Sequence, residues 1–295
     1  MSFEPPGLPG EVVPLRLPRP AELFASRARR FRELAPGNPM GEFLDALADV
    51  ADAQAEALAR IPPVLAPGQP GARGGAAEGA PLRATSHARS PAWREALSAI
   101  VEALRSRPWP GPAAQALRRL SGAWPEELEA MADGVIAGMP ASTDLAAAPF
   151  VGAALQVYFT ALASSLSAAA VAGSTGACPV CDSPPVAGVV QGDDRLRYLC
   201  CSLCGSEWNL TRIQCWSCRN AAGIRYLGVA GDGGAVKAEA CTPCGSYLKI
   251  FYREKMPVVD PLADDVASLT LDLLAAQEGW GRSGVNLFLL GGAEG

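Results

Sequence analysis

Four Cys-x-x-Cys pairs lie in the second half of this 295-residue chain: Cys178/Cys181, Cys201/Cys204, Cys215/Cys218 and Cys241/Cys244. A two-residue gap lets both sulfurs of a pair, with nearby backbone N–H groups, converge on one cation in a tight knuckle. Two knuckles complete a tetrahedral shell. The stretches between the first and second pairs and between the third and fourth each suit a ribbon in which a short β-hairpin carries one knuckle to the other. The spacing therefore predicts two consecutive ribbons, 178–204 and 215–244, each with its own metal. An all-sulfur shell suits zinc or iron, and spacing does not choose between them. The ninth cysteine, Cys200, adjoins Cys201 and reads as a packed thiol.

A closed four-cysteine shell has no open position for substrate or water, so hydrolytic metal catalysis is not expected. What such shells supply is folding energy for small β modules. With His87 as the sole histidine, Ser-His and Cys-His hydrolases are effectively ruled out, and no catalytic residue is expected. The net charge of -5 gives no general attraction to phosphate backbones. The 178–255 segment is only marginally positive, which disfavours nucleic-acid binding.

Residues 1–20 lack a basic stretch followed by an apolar one, so no signal peptide is read and a reducing cytoplasm is expected for the thiols. Phe150 to Gly173 carries no charge and has about the length of a bilayer span. Gln156, Thr160, Ser164, Ser165 and Ser167 punctuate it, however, and a helix buried in an all-α domain is expected instead.

The expected fold class is α+β. Residues 1–173 form a helical domain, with 63–90 as a flexible loop or linker. Residues 174–210 and 211–256 form the two ribbons, and 257–295 a C-terminal helix and tail. Helices are predicted near 20–35, from Asn38 (cap) and Pro39 to Pro62, and at 91–106, 112–121, 125–138 and 145–172. Trp109 and Trp124, in the connections, are expected to pack in the core. β-type runs occur at Val186–Val190 and Tyr247–Tyr252. After Pro257 one helix is predicted, capped by Asp260, with Leu262, Val266, Leu269 and Leu273 inward and Gly279 at its end. Glu207, Trp208, Arg212 and Trp216, with Arg225, Lys237, Glu239, Lys249, Arg253, Glu254 and Lys255, suit a protein interface.

The sequence resembles the formate dehydrogenase accessory (formation) proteins of the FdhE type. The likeness runs through Cys178-Pro-Val-Cys181-Asp-Ser-Pro-Pro-Val-Ala187, Arg197-Tyr-Leu-Cys-Cys-Ser-Leu-Cys204-Gly-Ser-Glu-Trp208, Arg212-Ile-Gln-Cys215-Trp-Ser-Cys218 and Ala238-Glu-Ala-Cys241-Thr-Pro-Cys244-Gly-Ser-Tyr-Leu-Lys249. It extends to Asp260-Pro-Leu-Ala-Asp-Asp265 and Asn286-Leu-Phe-Leu-Leu290, and to the arginine-rich first helix with Asn38-Pro39. The resemblance implies a cytoplasmic, non-enzymatic assembly factor. Such a protein would bind the molybdenum- and selenium-containing catalytic subunit of respiratory formate dehydrogenase before twin-arginine export. It also implies rubredoxin-like ribbons whose eight paired cysteines hold metal, with iron favoured and zinc possible. Three positions depart from the family pattern: Asn209 where His is common, Leu287 where Pro is common, and Asp182 where Gly is usual. Two other functions stay open on the residues alone, an iron redox protein acting in electron transfer or oxygen sensing and, more distantly, a zinc-ribbon nucleic-acid binder.

Overall fold

Helical periodicity governs the first half of the chain. The structure, a computed structural model, describes residues 12–62, 64, 79–171, 176–192 and 194–290. A two-residue strand, β1 (Leu15–Arg16), precedes six helices: α1 (Pro20–Leu34), α2 (Gly41–Arg60), α3 (Ala92–Leu104), α4 (Gly111–Gly122), α5 (Pro125–Ile136) and α6 (Ala148–Ser164). Proline in the first turn opens α1, α4, α5 and α6, where its missing N–H leaves no bond unmade. The start of α2 differs from expectation. Asn38 Oδ1 takes the Met40 N–H in a local turn, and the helix opens at Gly41.

Helix α6 is buried on all sides among α1, α2, α3 and α5. Its Gln156 makes interior hydrogen bonds: Gln54 donates to Gln156, and Gln156 donates 2.8 Å to the Ser202 carbonyl inside the second knuckle. It stops at Ser164, short of the expected 172. The hydroxyls of Ser164 and Ser165 there bond back to the carbonyls of Ala161 and Leu162. Among the described residues, no helix is long and apolar enough to cross a membrane.

Period-two structure then takes over in β2 (Pro185–Gln191), β3 (Leu196–Cys201), β4 (Glu207–Asn209), β5 (Ile224–Leu227), β6 (Val236–Cys241) and β7 (Ser246–Tyr252). Helices α7 (Pro261–Ala267) and α8 (Leu269–Gln277) and a last strand, β8 (Gly281–Arg282), complete the fold. The strands form one eight-stranded sheet in the order β1-β4-β3-β2-β7-β6-β5, with β8 also on β7. Both expected hairpins are present, β2–β3 and β5–β6. They are joined through the parallel pairing of β2 with β7 at Gly188↔Ile250, Val189↔Phe251 and Val190↔Tyr252. A Cβ on Gly188 would lie 2.7 Å from Ile250 Cδ1, so a larger residue there would make the end of the Ile250 side chain shift.

The C-terminal helix is two helices rather than one. Lys249 Nζ donates to the carbonyls of Asp265 (2.8 Å) and Ser268 (3.1 Å), which draws the backbone out of helical register. Leu262 and Val266 are buried as expected, but the break shifts the phase. Leu271 and Ala275 face the core, while Leu273 is 66% exposed. Trp124 is likewise exposed rather than packed, whereas Trp109 stacks edge-on against Phe150.

Candidate metal centres

Each knuckle ends in a residue with left-handed backbone: Asp182 (φ 62), Gly205 (φ 72), Arg219 (φ 64) and Gly245 (φ 68). The turn needs this reversal to bring the chain back under the sulfurs. In the first and third knuckles the N–H of that residue donates to the first cysteine's carbonyl, Asp182 to Cys178 (2.8 Å) and Arg219 to Cys215 (3.1 Å). The first cysteine's own N–H then bonds to the carbonyl of Ser183 or Asn220. Gly245 closes on Cys241 in the same way at 2.9 Å. The departure at Asp182 thus falls at a position where glycine is the strain-free residue, and the Arg83–Asp182 ion pair holds the side chain in place.

The hairpins bring the knuckles together in two clusters, Cys178/Cys181/Cys201/Cys204 and Cys215/Cys218/Cys241/Cys244, with all sulfurs of each within 4.8 Å of one another. Neighbouring sulfurs are 3.6 Å (Cys178–Cys204) and 3.3 Å (Cys181–Cys201) apart in the first. In the second they are 3.7 Å (Cys215–Cys244) and 3.5 Å (Cys218–Cys241) apart. A tetrahedron with metal–sulfur bonds of about 2.3 Å has edges of about 3.8 Å, so the eight sulfurs fit two such shells. They do not fit disulfides, whose sulfurs are bonded at about 2.05 Å. Donors around the sulfurs suit anionic ligands. The N–H groups of Leu203 and Cys204 point at Cys201 Sγ, both at 3.3 Å, and the Ser246 hydroxyl lies 3.1 Å from Cys244 Sγ.

Burial, aided by the three neighbouring sulfurs, pushes the Cys178 thiol well above the ordinary range, and burial raises Cys201 as well. Without a cation these thiols hold their protons, and a divalent ion would have to displace them. In the second cluster burial pushes Cys241 up to about 12. At Cys244 burial acts in the same direction but is outweighed by Ser246 and by hydrogen bonds from Cys241 and Cys218, leaving its thiol at about 7. Cys200 belongs to neither cluster. It sits in the core on β3, where burial raises its thiol well above the usual value.

Several residues expected at an interface are interior. Trp208 is 1% exposed, and Arg197 and Glu239 form a buried ion pair between β3 and β6. Arg197 also donates to the carbonyls of Thr211 and Gln214, both at 2.6 Å, so one guanidinium fixes the segment leading into Cys215. Lys249 lies buried between Asp265 and Asp272. Asn209 donates 3.0 Å to the Arg197 carbonyl and receives no role at a sulfur. Trp216 is half-buried and donates 2.8 Å to Ser283.

One contributor to the first centre gave no signal in the sequence. Of the stretch expected as a linker, residue 63 and residues 65–78 lie outside the described residues, but 79–90 lies against the protein. The Leu82 and Ala84 N–H groups donate to the carbonyls of Val180 (2.9 Å) and Cys181 (2.8 Å), and both side chains are buried. The surrounding glycine and alanine mask what two small apolar residues do here.

Fold and site together define a helical bundle fused to a continuous sheet that carries two closed four-sulfur centres. Family models for FdhE match along the chain: the N-terminal region over residues 12–175, the central domain over 177–212 and the C-terminal domain over 213–289. A protein FdhE homolog from Edwardsiella ictaluri is 41% identical, covering 97% of this chain and 94% of the relative. Protein FdhE from Salmonella paratyphi A is 38% identical, covering 95% and 92%. The crystal structure of the FdhE protein from Pseudomonas aeruginosa superposes with a TM-score of 0.83 at 35% identity, covering 95% of this chain and 99% of that one. The chain belongs to the FdhE family.

Proposed function

We propose that this protein is a non-catalytic accessory factor of the cytoplasm that assists formation of respiratory formate dehydrogenase, binding its catalytic subunit before twin-arginine export. In this proposal Cys178, Cys181, Cys201 and Cys204 hold one ion, and Cys215, Cys218, Cys241 and Cys244 a second. Iron is favoured by the family resemblance, and zinc would fit the same shells. The carrying observation is the pair of converged four-sulfur clusters in a chain that matches FdhE along its length. Among the described residues, no other group of histidine, cysteine and carboxylate side chains converges in this way.

Copurification from cells expressing the catalytic subunit tests the proposal. Wild type is expected to capture the subunit, while C178A/C181A and C241A/C244A lose capture and lower cellular formate oxidation. Unchanged capture and oxidation in both variants would refute it. Exposure of Cys218 and Cys244 supports a second reading, in which an iron centre exchanges electrons with the client. Anaerobic metal analysis with visible absorption separates the two. Stoichiometric, colourless zinc excludes the electron-transfer version.

A further inference from the structure

The two centres share a ligand set but not an environment. In the first, the four cysteines are at most 1% exposed and belong to the main hydrophobic core. Above them the 80–84 segment is hydrogen-bonded to the Val180 and Cys181 carbonyls, and below them Gln156 of α6 holds the Ser202 carbonyl. A group approaching this centre must first displace packed protein.

In the second centre only Cys215 and Cys241 are buried, while Cys218 and Cys244 are exposed. Cys215 and Cys241 belong to neither hydrophobic cluster, and the adjoining cluster is small: Ala238, Ala240, Tyr247, Leu271 and Ala275. The loops that carry the outward sulfurs, residues 217–223 and 242–245, are exposed throughout. Neither 211–223 nor 241–246 contains an acidic residue, and Arg212 and Arg219 lie in the first. An anionic chelator or metal donor therefore meets cations and no repelling carboxylate along these segments. Trp216 is the residue of the 211–223 segment that packs against the main core, and apart from its ion the segment is otherwise held by polar anchors: Arg197 on the Gln214 carbonyl, Trp216 on Ser283, and the Thr242 N–H and hydroxyl on the Gly223 carbonyl.

We infer that the two centres are unequal in use: the 178–204 centre is a permanent structural ion, and the 215–244 centre is an exchangeable one whose occupancy orders the outer knuckle loops. This rests on the reading of the eight cysteines as ligands. Exchange is a ligand substitution without change of oxidation state. An incoming anionic chelator displaces the outward Cys218 and Cys244 sulfurs first and the Cys215 and Cys241 sulfurs as the ion departs, and the four freed thiolates take up protons from water.

The test uses full-length protein reconstituted with two equivalents of zinc and mixed with excess 4-(2-pyridylazo)resorcinol, release being followed by absorbance. Two phases of one equivalent each are expected, with rate constants at least about tenfold apart, the size of effect that surroundings beyond the ligands have on metal binding. C218S/C244S should lose the fast phase and keep the slow one. In wild type, iodoacetamide peptide mapping after the fast phase should label Cys215, Cys218, Cys241 and Cys244 ahead of Cys178, Cys181, Cys201 and Cys204. This mapping serves also if the variant does not fold. Release of both equivalents at one rate, or first labelling of the 178–204 set, overturns the inference and leaves the ligand reading intact. Binding of fewer than two equivalents at the outset overturns both.

Discussion

Every knuckle turns on the one residue that follows it, and the chain fills that position in two ways. Gly205 and Gly245 adopt the left-handed backbone freely, whereas Asp182 and Arg219 adopt it against the preference of a side-chain-bearing residue. For a residue such as arginine the conformation costs roughly 1–2 kcal/mol, and less for aspartate. Arg219→Gly should therefore raise the melting temperature of the loaded protein, and by more than Asp182→Gly, which also loses the Arg83 pair. Calorimetry of the two variants checks this, and a fall with R219G would show that its side chain matters more than its backbone. A second residue, Asp265, sets part of the acid stability. Burial pushes its carboxyl up, but Lys249 and Arg282, with the Asn286 amide, outweigh this and hold it below the usual aspartate value. A depressed carboxylate contributes stability that is fully present above the unfolded-state value of about 3.9 and is lost as pH falls below it. Asp265→Asn should thus cost about 3–5 kcal/mol near neutrality by leaving Lys249 and Arg282 short of a partner. The gap to wild type should narrow below pH 4, as melting curves across pH 3–7 would record.

At the scale of elements, the contact between β2 and β7 is where two hairpins become one sheet. Gly188→Val would press its methyls into Ile250, and such overpacking costs about 1–3 kcal/mol. Adding Ile250→Val removes the atom that clashes. The double variant is therefore expected to recover much of the lost stability in urea unfolding, and equal stability of G188V and G188V/I250V would place the strain elsewhere. Gly188 also marks the limit of what could be read from the residues. The helices, both hairpins and the eight paired cysteines were legible, because helical stripes, proline starts and Cys-x-x-Cys gaps are local signals. The pairing of Val189 with Phe251 was not, because no local pattern specifies a parallel partner so distant in the chain. The break at Ser268 was hidden for a related reason: beside the Ser268 hydroxyl's own bond to the Asp264 carbonyl, it rests on an ammonium from β7. Apparent surface charges misled in the same way, since Glu239 and Lys249 find their partners, Arg197 and Asp265, only in three dimensions.

Across the whole molecule, the N-terminal helix is bound to the C-terminal one by charge. Arg27 Nε bridges both oxygens of Asp260 at 3.2 Å, and Arg30 reaches Asp264 at 2.6 Å. Asp260 is also the cap of α7, accepting from the N–H groups of Leu262 and Ala263. Asp260→Ala removes a cap worth about 1 kcal/mol. It also leaves the buried Arg27 unpaired, a loss of about 3–5 kcal/mol. Amide hydrogen exchange should then quicken in α1 and α7 together. Faster exchange in α7 alone would mean that the ion pair does not couple the termini. The same arrangement bears on synthesis. A ribosome releases α1 long before residues 260–264 exist, so the nascent bundle carries guanidinium groups with no carboxylate yet made for them. Strand β1 likewise waits for β4, and both knuckles of the sealed centre emerge before α7 does. The contacts that tie the first part of the chain to the last, β1 with β4 and α1 with α7, are thus closed only after both knuckles of that first cluster have been made.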